Sequence, residues 1–247
     1  MKYITSVHND QIRHIIDLQN KAYRIKHQEF VAEGTRACSQ LLTTFRPVEI
    51  YMTETYYQTH TLHEYHDLII CVADHVMAKM SSSKTPSGIC ATFRIPKPLP
   101  LPQTGPGLIL VDISDPGNLG TLIRTAAAMN IKEIILIGGV DPYNPKVVQS
   151  TAGCLNYVHL YQATFEEVVA HKNIQLCALV VQGGKHPEAL DLKNKFLVVG
   201  NEAHGLLDQQ IKACPNKMTI PMPGHAESLN AAIAGAIGLY CMIATNK

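Results

Sequence analysis

A chain of 247 residues, 46% of them hydrophobic, suits one large domain or two modest ones and excludes disordered and collagen-like classes. Its 21 basic residues against 20 acidic ones leave a net charge of +1, so whole-chain charge gives no support for a nucleic-acid partner and any basic surface is local. The seven cysteines are scattered without a CxxC pair, which argues against a zinc ribbon or a dithiol centre and fits a reduced, cytoplasmic protein. Asp10 and Asp17 near the start argue against a transit peptide.

Taken in chain order, Ile12, Ile15, Ile16 and Gln19 predict an amphipathic helix. Short apolar runs at Val48–Met52, Leu68–Val72 and Ala91–Ile95 predict strands, with helices between them at Thr35–Thr43 and Ala73–Met80. A small α/β domain over 1–95 is expected from these. Residues 96–106 are rich in proline, which lacks a donor and fixes its own φ, and predict a semi-stiff linker. Over 107–247, β-prone apolar runs at Leu108–Ile113, Glu133–Ile137, Gln175–Val181, Phe196–Val199 and Met218–Met222 alternate with helices. The helices are predicted at Asn118–Met129, Thr164–Ala170, Ala203–Lys212 and Glu227–Ile243. Strands apolar throughout, alternating with helices, imply a parallel sheet covered on both faces, with ligands beyond the carboxyl ends of its strands. The longest apolar stretch, Leu229–Thr245, is too short and too interrupted for a membrane span, which takes about 20 residues, and no membrane partner is expected.

Three polar clusters sit where such a sheet would bind something. In the first, Asp115-Pro116 predicts a helix cap and first turn; Asn118, Thr121 and Arg124 follow on a polar stripe near a helix start that favours anions. The second, Gly200-Asn201-Glu202-Ala203-His204-Gly205, puts a glycine at the end of a buried strand where backbone approaches a ligand, and Glu202 at the mouth of the sheet. It is not the GxGxxG fingerprint, which disfavours a nicotinamide dehydrogenase. The third runs from Ile220-Pro221-Met222-Pro223-Gly224-His225 through Ala226-Glu227-Ser228-Leu229-Asn230 into the last helix. There Ser228 and Asn230 are expected in the opening turn. Leu229, Ile233, Ala236, Ile237 and Tyr240 are expected as that helix's apolar stripe, and Ala231, Ala234, Gly235 and Gly238 as a small-residue face open to close packing. Each cluster also reads as capping and turn chemistry. The triplet His60, His63 and His66 has metal-ligand spacing but no ligand cluster elsewhere nearby in sequence; an exposed polar turn is the better reading, and no metal is expected.

Together, in this order, the three clusters resemble the three motifs of the SpoU (TrmH) family, RNA ribose 2′-O-methyltransferases of the SPOUT superfamily. Lys21-Ala22-Tyr23-Arg24 and Phe30-Val31-Ala32-Glu33-Gly34 resemble, more loosely, the opening of the ribosomal-protein-like RNA-binding domain that many members carry. The resemblance implies a C-terminal parallel-sheet SPOUT domain with a trefoil knot, an exception to the rule against threaded chains. It implies S-adenosyl-L-methionine as cofactor, an RNA substrate (ribosomal RNA favoured over tRNA by the extra domain) and a homodimer. Arg124, Asn118, Glu202, Ser228 and Asn230 match its catalytic positions, and Gly200, Ile220 and Leu229 its cofactor-holding positions. Because guanidinium keeps its proton, clamping phosphate and stabilising a developing alkoxide rank above proton abstraction for Arg124. The competing readings are a tRNA 2′-O-methyltransferase, a base methyltransferase of the same superfamily, and an RNA-binding or ribosome-assembly protein with an inactive methyltransferase domain. The third motif argues against the base enzyme, and the full set of polar positions against the inactive protein.

Overall fold

In the computed structural model, which describes residues 2–60, 62–83 and 85–244, the chain forms two compact units: Met1–Lys97 with Asp141–Asn156, and Pro98–Val140 with Tyr157–Lys247. Thr61, inside the histidine triplet, and Thr245, at the end of the long apolar stretch, lie outside the described residues.

The first unit begins with β1 (Lys2–Ile4), α1 (Asp10–Asp17), α2 (Lys21–His27), β2 (Glu29–Glu33), α3 (Thr35–Leu41), β3 (Pro47–Thr53) and α4 (Glu54–Thr59). It continues through β4 (Ile69–Val72), α5 (Asp74–Met80) and β5 (Ile89–Arg94). The sheet order is β1-β4-β3-β5-β2; β1, β4 and β3 are parallel, and β5 runs antiparallel to both β3 and β2. Alternation along β2 sorts its side chains by face. Val31 packs with Ile12, Ile15 and Leu18 of the first helix and its cap, whereas Phe30 meets Phe93, Phe45 and Tyr143. The 141–156 segment, which carries Tyr143, is flanked in sequence on both sides by the second unit yet packs in this one. Arg24, 1% exposed, explains part of that attachment. Its Nε and Nη2 donate to Asp141 Oδ2 at 2.9 and 2.6 Å, and its Nη1 to the carbonyls of Leu18 and Gln19, each at 2.8 Å. The sequence pattern misses β1 and β2. β2 is buried along most of its length and so shows no polar alternation.

The second unit comprises β6 (Gly107–Val111), α6 (Pro116–Ala128), β7 (Glu133–Ile137), β8 (His159–Gln162), α8 (Phe165–Ala170) and β9 (Gln175–Leu179). It is completed by β10 (Lys195–Val199), α9 (Asp208–Ala213), β11 (Asn216–Met218) and α10 (Ala231–Ala244); α7 (Pro145–Ser150) lies in the segment assigned to the first unit. Its six strands, ordered β11-β9-β10-β6-β7-β8, are all parallel, as their unbroken apolar runs predict. Ile109, Ile135, Leu176, Phe196 and Val198 form the centre of its core.

Three predicted boundaries in this unit are corrected. The Met218–Met222 strand stops at Met218, because Pro221 and Pro223 cannot donate to a ladder. The Ala203–Lys212 helix starts only at Asp208; before it, reciprocal backbone bonds between Asn201 and Gly205 close a tight loop. The Glu227–Ile243 helix begins at Ala231, since the Asn230 side chain takes the N–H groups of Ala232 and Ile233, at 2.9 and 3.2 Å, and caps it. Ser228 therefore lies before the helix rather than in its opening turn.

The expected faces of α10 are also exchanged. Gly235 and Gly238 point into the protein's own core: an added Cβ would come within 2.4 Å of Leu122 and 2.6 Å of Leu197, respectively. Ile233 and Tyr240, expected inside, are 51% and 58% exposed. Every face of this helix is apolar, so periodicity could not separate the two. Among the described residues, no helix is long and apolar enough to cross a membrane.

Candidate active site at the carboxyl edge of the parallel sheet

Because every strand of the second sheet runs the same way, its carboxyl ends share one edge, and the loops after β6, β10 and β11 emerge there. β6 ends at Val111, and Asp112, whose φ of 52° breaks the strand, follows it. Three residues later Asp115 caps α6, its carboxylate accepting the Asn118 N–H at 2.8 Å, with Pro116 in the first turn. After β10, Gly200 is required by packing: a Cβ there would lie 2.3 Å from the backbone of Gly205. The close backbone approach expected at this glycine is thus made by its own loop. That folding holds Glu202 out toward α6.

Glu202 is the centre of the site. Its Oε2 accepts from Ser114 N–H at 3.1 Å and Ser114 Oγ at 2.9 Å; its Oε1 accepts from Asp115 N–H and Asn118 Nδ2, each at 3.0 Å. Partial burial opposes its charge. The Asn118 amide and the backbone N–H groups of Ser114 and Asp115 outweigh that cost and hold its carboxyl down at about 2. From Asn118 the chain of bonds continues: Asn230 Nδ2 donates to Asn118 Oδ1 at 3.0 Å. Its direction is set at the far end, where the α10 N–H groups occupy Asn230 Oδ1, leave its amide to donate, and so turn the Asn118 amide toward Glu202. Beside this chain Asn201 ties the loops again, its Nδ2 donating to the Asp112 carbonyl at 2.8 Å.

Of the eight site residues predicted from sequence, Asn118, Glu202 and Asn230 are joined by hydrogen bonds across three loops. Gly200 closes the second loop. Ile220 and Leu229 are half-buried apolar groups flanking the third. Between them, from 220 to 229, the backbone makes no hydrogen bond among the described residues, so its N–H and C=O groups are open to the polar edge of a ligand. Arg124 and Ser228 are not drawn into the network; both are exposed, and among the described residues the Arg124 guanidinium has no ion-pair partner. Sequence reasoning missed Ser114 and Asn201, which sit inside the motifs but read there as ordinary loop residues. Elsewhere, His60 stacks on Tyr56 at 3.9 Å and His66 lies beside Asp67. Among the described residues no group of three or more His, Cys, Asp or Glu could hold a metal.

Comparison with known proteins agrees with this geometry. Residues 106–240 match the SpoU rRNA methylase family model, and residues 9–91 match an MRM3-like substrate binding domain. The chain is 35% identical over 177 residues to an uncharacterized tRNA/rRNA methyltransferase of Synechocystis, a match spanning 68% of this chain and 65% of that protein. It is 27% identical over 248 residues to the 23S rRNA (guanosine(2553)-2'-O)-methyltransferase RlmP of Bacillus subtilis, spanning 97% of this chain and 98% of that one. The AdoMet-bound rRNA methyltransferase from Sinorhizobium meliloti superposes with a TM-score of 0.86 at 27% identity, over 98% of this chain and 97% of the other. The fold is thus the α/β SPOUT fold that the motifs imply. With a family model matching more than half its length, the chain belongs to the SpoU rRNA methylase family.

Proposed function

We propose that this protein transfers a methyl group from S-adenosylmethionine to a ribose 2′-hydroxyl of ribosomal RNA. The observation that carries this is the convergence of three strand-end loops, bound together through Asn118, Glu202 and Asn230, on one edge of a parallel sheet. The full-length similarity to a 23S rRNA 2′-O-methyltransferase supports ribosomal RNA as the substrate, and the substrate-binding match over 9–91 supports the first unit as its binding platform.

When bound, the cofactor supplies an electrophilic methyl on a sulfonium, so what remains for the protein is to align the oxygen and move its proton. Gly200, Ile220 and Leu229 fit the cofactor: two half-buried apolar side chains frame a loop whose backbone groups are free to bind its polar edges. Arg124 meets the nucleotide. Its planar fork holds a phosphate and stabilises the negative charge that develops on the oxygen as the 2′-hydroxyl gives its proton to solvent water and its lone pair to the methyl carbon, the thioether leaving. Ser228, exposed at the loop before α10, lies where a substrate reaches it, and Asn118 and Asn230 keep the loops in register.

The protein works as a homodimer in the cytoplasm, a second copy covering the exposed Ile233 and Tyr240 face of α10. Light scattering at micromolar concentration tests the dimer; a monomer overturns it. The reaction is tested by incubating purified protein with methyl-labelled cofactor and rRNA, then mapping 2′-O-methylation. Label on a base, on tRNA alone, or nowhere overturns the assignment.

A further inference from the structure

Resting on the methyltransferase reading above, we infer that Ser114 is a positioning residue for the reaction: it locks Glu202 as a saturated anchor, leaving it unable to accept a proton. The inference comes from counting lone pairs. An ionised carboxylate offers about four acceptor sites. All four are taken here, two on each oxygen, by Ser114 N–H, Ser114 Oγ, Asp115 N–H and Asn118 Nδ2, at 2.9–3.1 Å. A ribose hydroxyl would have to displace one of these donors before Glu202 could take its proton. Each donor is itself held: the two N–H groups belong to the turn leading into α6, and the Asn118 amide is oriented by Asn230. Ser114 Oγ is the one donor that rotates freely, and it completes the set.

The consequence is mechanical. Glu202 is bonded to the turn before α6, to α6 itself and, through Asn118, to the cap of α10. It therefore sets the spacing between the helix that carries Arg124 and the loop that carries Ser228 before either meets substrate. Its depressed titration comes from three of these bonds, those from the Asn118 amide and the Ser114 and Asp115 N–H groups, which outweigh partial burial. The other ionisable groups within two residues of Ser114 or Glu202 are the exposed Asp112, Asp115, whose carboxylate is engaged by the Asn118 N–H, and the exposed His204.

The test is Ser114→Ala against Ser114→Thr, which restores a hydroxyl at an exposed position with room for the extra methyl. Two readouts are needed: steady-state methyl transfer to rRNA, and carbon-13 titration of the Glu202 carboxyl in the free protein. The expectation for Ser114→Ala is a fall in kcat of about tenfold, the loss typical of one hydrogen bond to a charged group, with KM for rRNA unchanged. The Glu202 midpoint should rise as one of its four donors is lost, yet stay below the usual carboxylate range because the Asn118 amide and the Ser114 and Asp115 N–H groups remain, and Thr should restore both. Wild-type kcat in Ser114→Ala overturns the inference. So does a loss of kcat that Thr fails to rescue, or one without movement of the Glu202 midpoint, since either marks a general disturbance of the loop. A wild-type protein without methyl transfer sinks the functional reading instead; the carboxyl titration needs no turnover and still decides whether Ser114 holds Glu202.

Discussion

The two sheets of this protein use similar residues to opposite ends. In the second sheet all strands are parallel, so loops from 112–118, 200–206 and 219–230, far apart in sequence, emerge on one edge and their polar side chains meet. In the first sheet β1, β4, β3 and β2 also point one way and only β5 opposes them, so strand direction alone does not set the two sheets apart. Its polar groups pair off locally: Arg24 with Asp141, and His14 between the Tyr23 hydroxyl at 3.0 Å and Glu29 at 2.8 Å. In the first unit buried polar residues serve as scaffold, whereas in the second the polar residues of strand-end loops form the candidate site. Perturbing one charged residue from each sheet tests that contrast.

The largest effect is expected on the parallel-sheet side. Arg124→Ala should lower methyl transfer at least about a hundredfold, as removal of a preorganised charge-stabilising group does, while S-adenosylhomocysteine affinity by calorimetry stays at the wild-type value. The separation follows from geometry: Arg124 lies on α6, and the cofactor-holding positions lie on the loops after β10 and β11. Arg124→Lys sharpens it. Lys keeps the charge and loses the planar fork, so recovery of most of the rate marks a point charge, and no recovery marks fork geometry. Near-normal single-turnover rates for Arg124→Ala would break the assignment of α6 to the substrate.

On the first sheet the equivalent change should act on stability alone. Asp141→Ala leaves the Arg24 guanidinium, 1% exposed, with only two carbonyl partners, and breaking a buried pair from one side costs about 3–5 kcal/mol. Denaturant melts should show that loss in the transition of the first unit. The double variant Arg24→Met with Asp141→Leu should recover most of it, because an apolar pair leaves no charge uncompensated. If Asp141→Ala instead weakens cofactor binding at unchanged stability, the pair belongs to a site and the contrast between the sheets fails.

How much of this was legible beforehand follows the same division. Apolar runs revealed five strands of the parallel sheet, β11 only at its last residue, and the motifs at their ends revealed Asn118, Glu202 and Asn230. In a parallel sheet, strand periodicity and loop position are both one-dimensional signals. Ser114 stayed hidden because its role depends on a contact 88 positions away in the chain. Arg24 appeared in a loosely matched motif, but its partner Asp141 lies 117 positions on, in a segment that sequence continuity attaches to the other unit. Short strands such as β8, four residues long, carry too few positions for any period to show. The last helix failed differently. With apolar side chains on every side, its sequence states that it is buried without stating which face goes in.

That ambiguity gives the smallest and most diagnostic prediction. Gly235 lies against Leu122 and Val199, so Gly235→Leu must push the Leu122 side chain aside within the second unit and should cost about 1–3 kcal/mol by overpacking. Part of this is offset, because leucine favours a helix over glycine by nearly 1 kcal/mol. Tyr240, 58% exposed on the opposite face, should respond the other way round. Tyr240→Glu leaves the protomer's own core untouched, and at a dimer interface it buries a charge that nothing neutralises. Thermal melts at two protein concentrations, with light scattering on the same samples, separate the cases. Gly235→Leu should lower the midpoint equally at both concentrations, whereas Tyr240→Glu should shift the scattering mass toward a monomer. If Gly235→Leu changes the mass and spares the midpoint, the small-residue face points outward after all, and the small-residue packing expected from sequence is the right one.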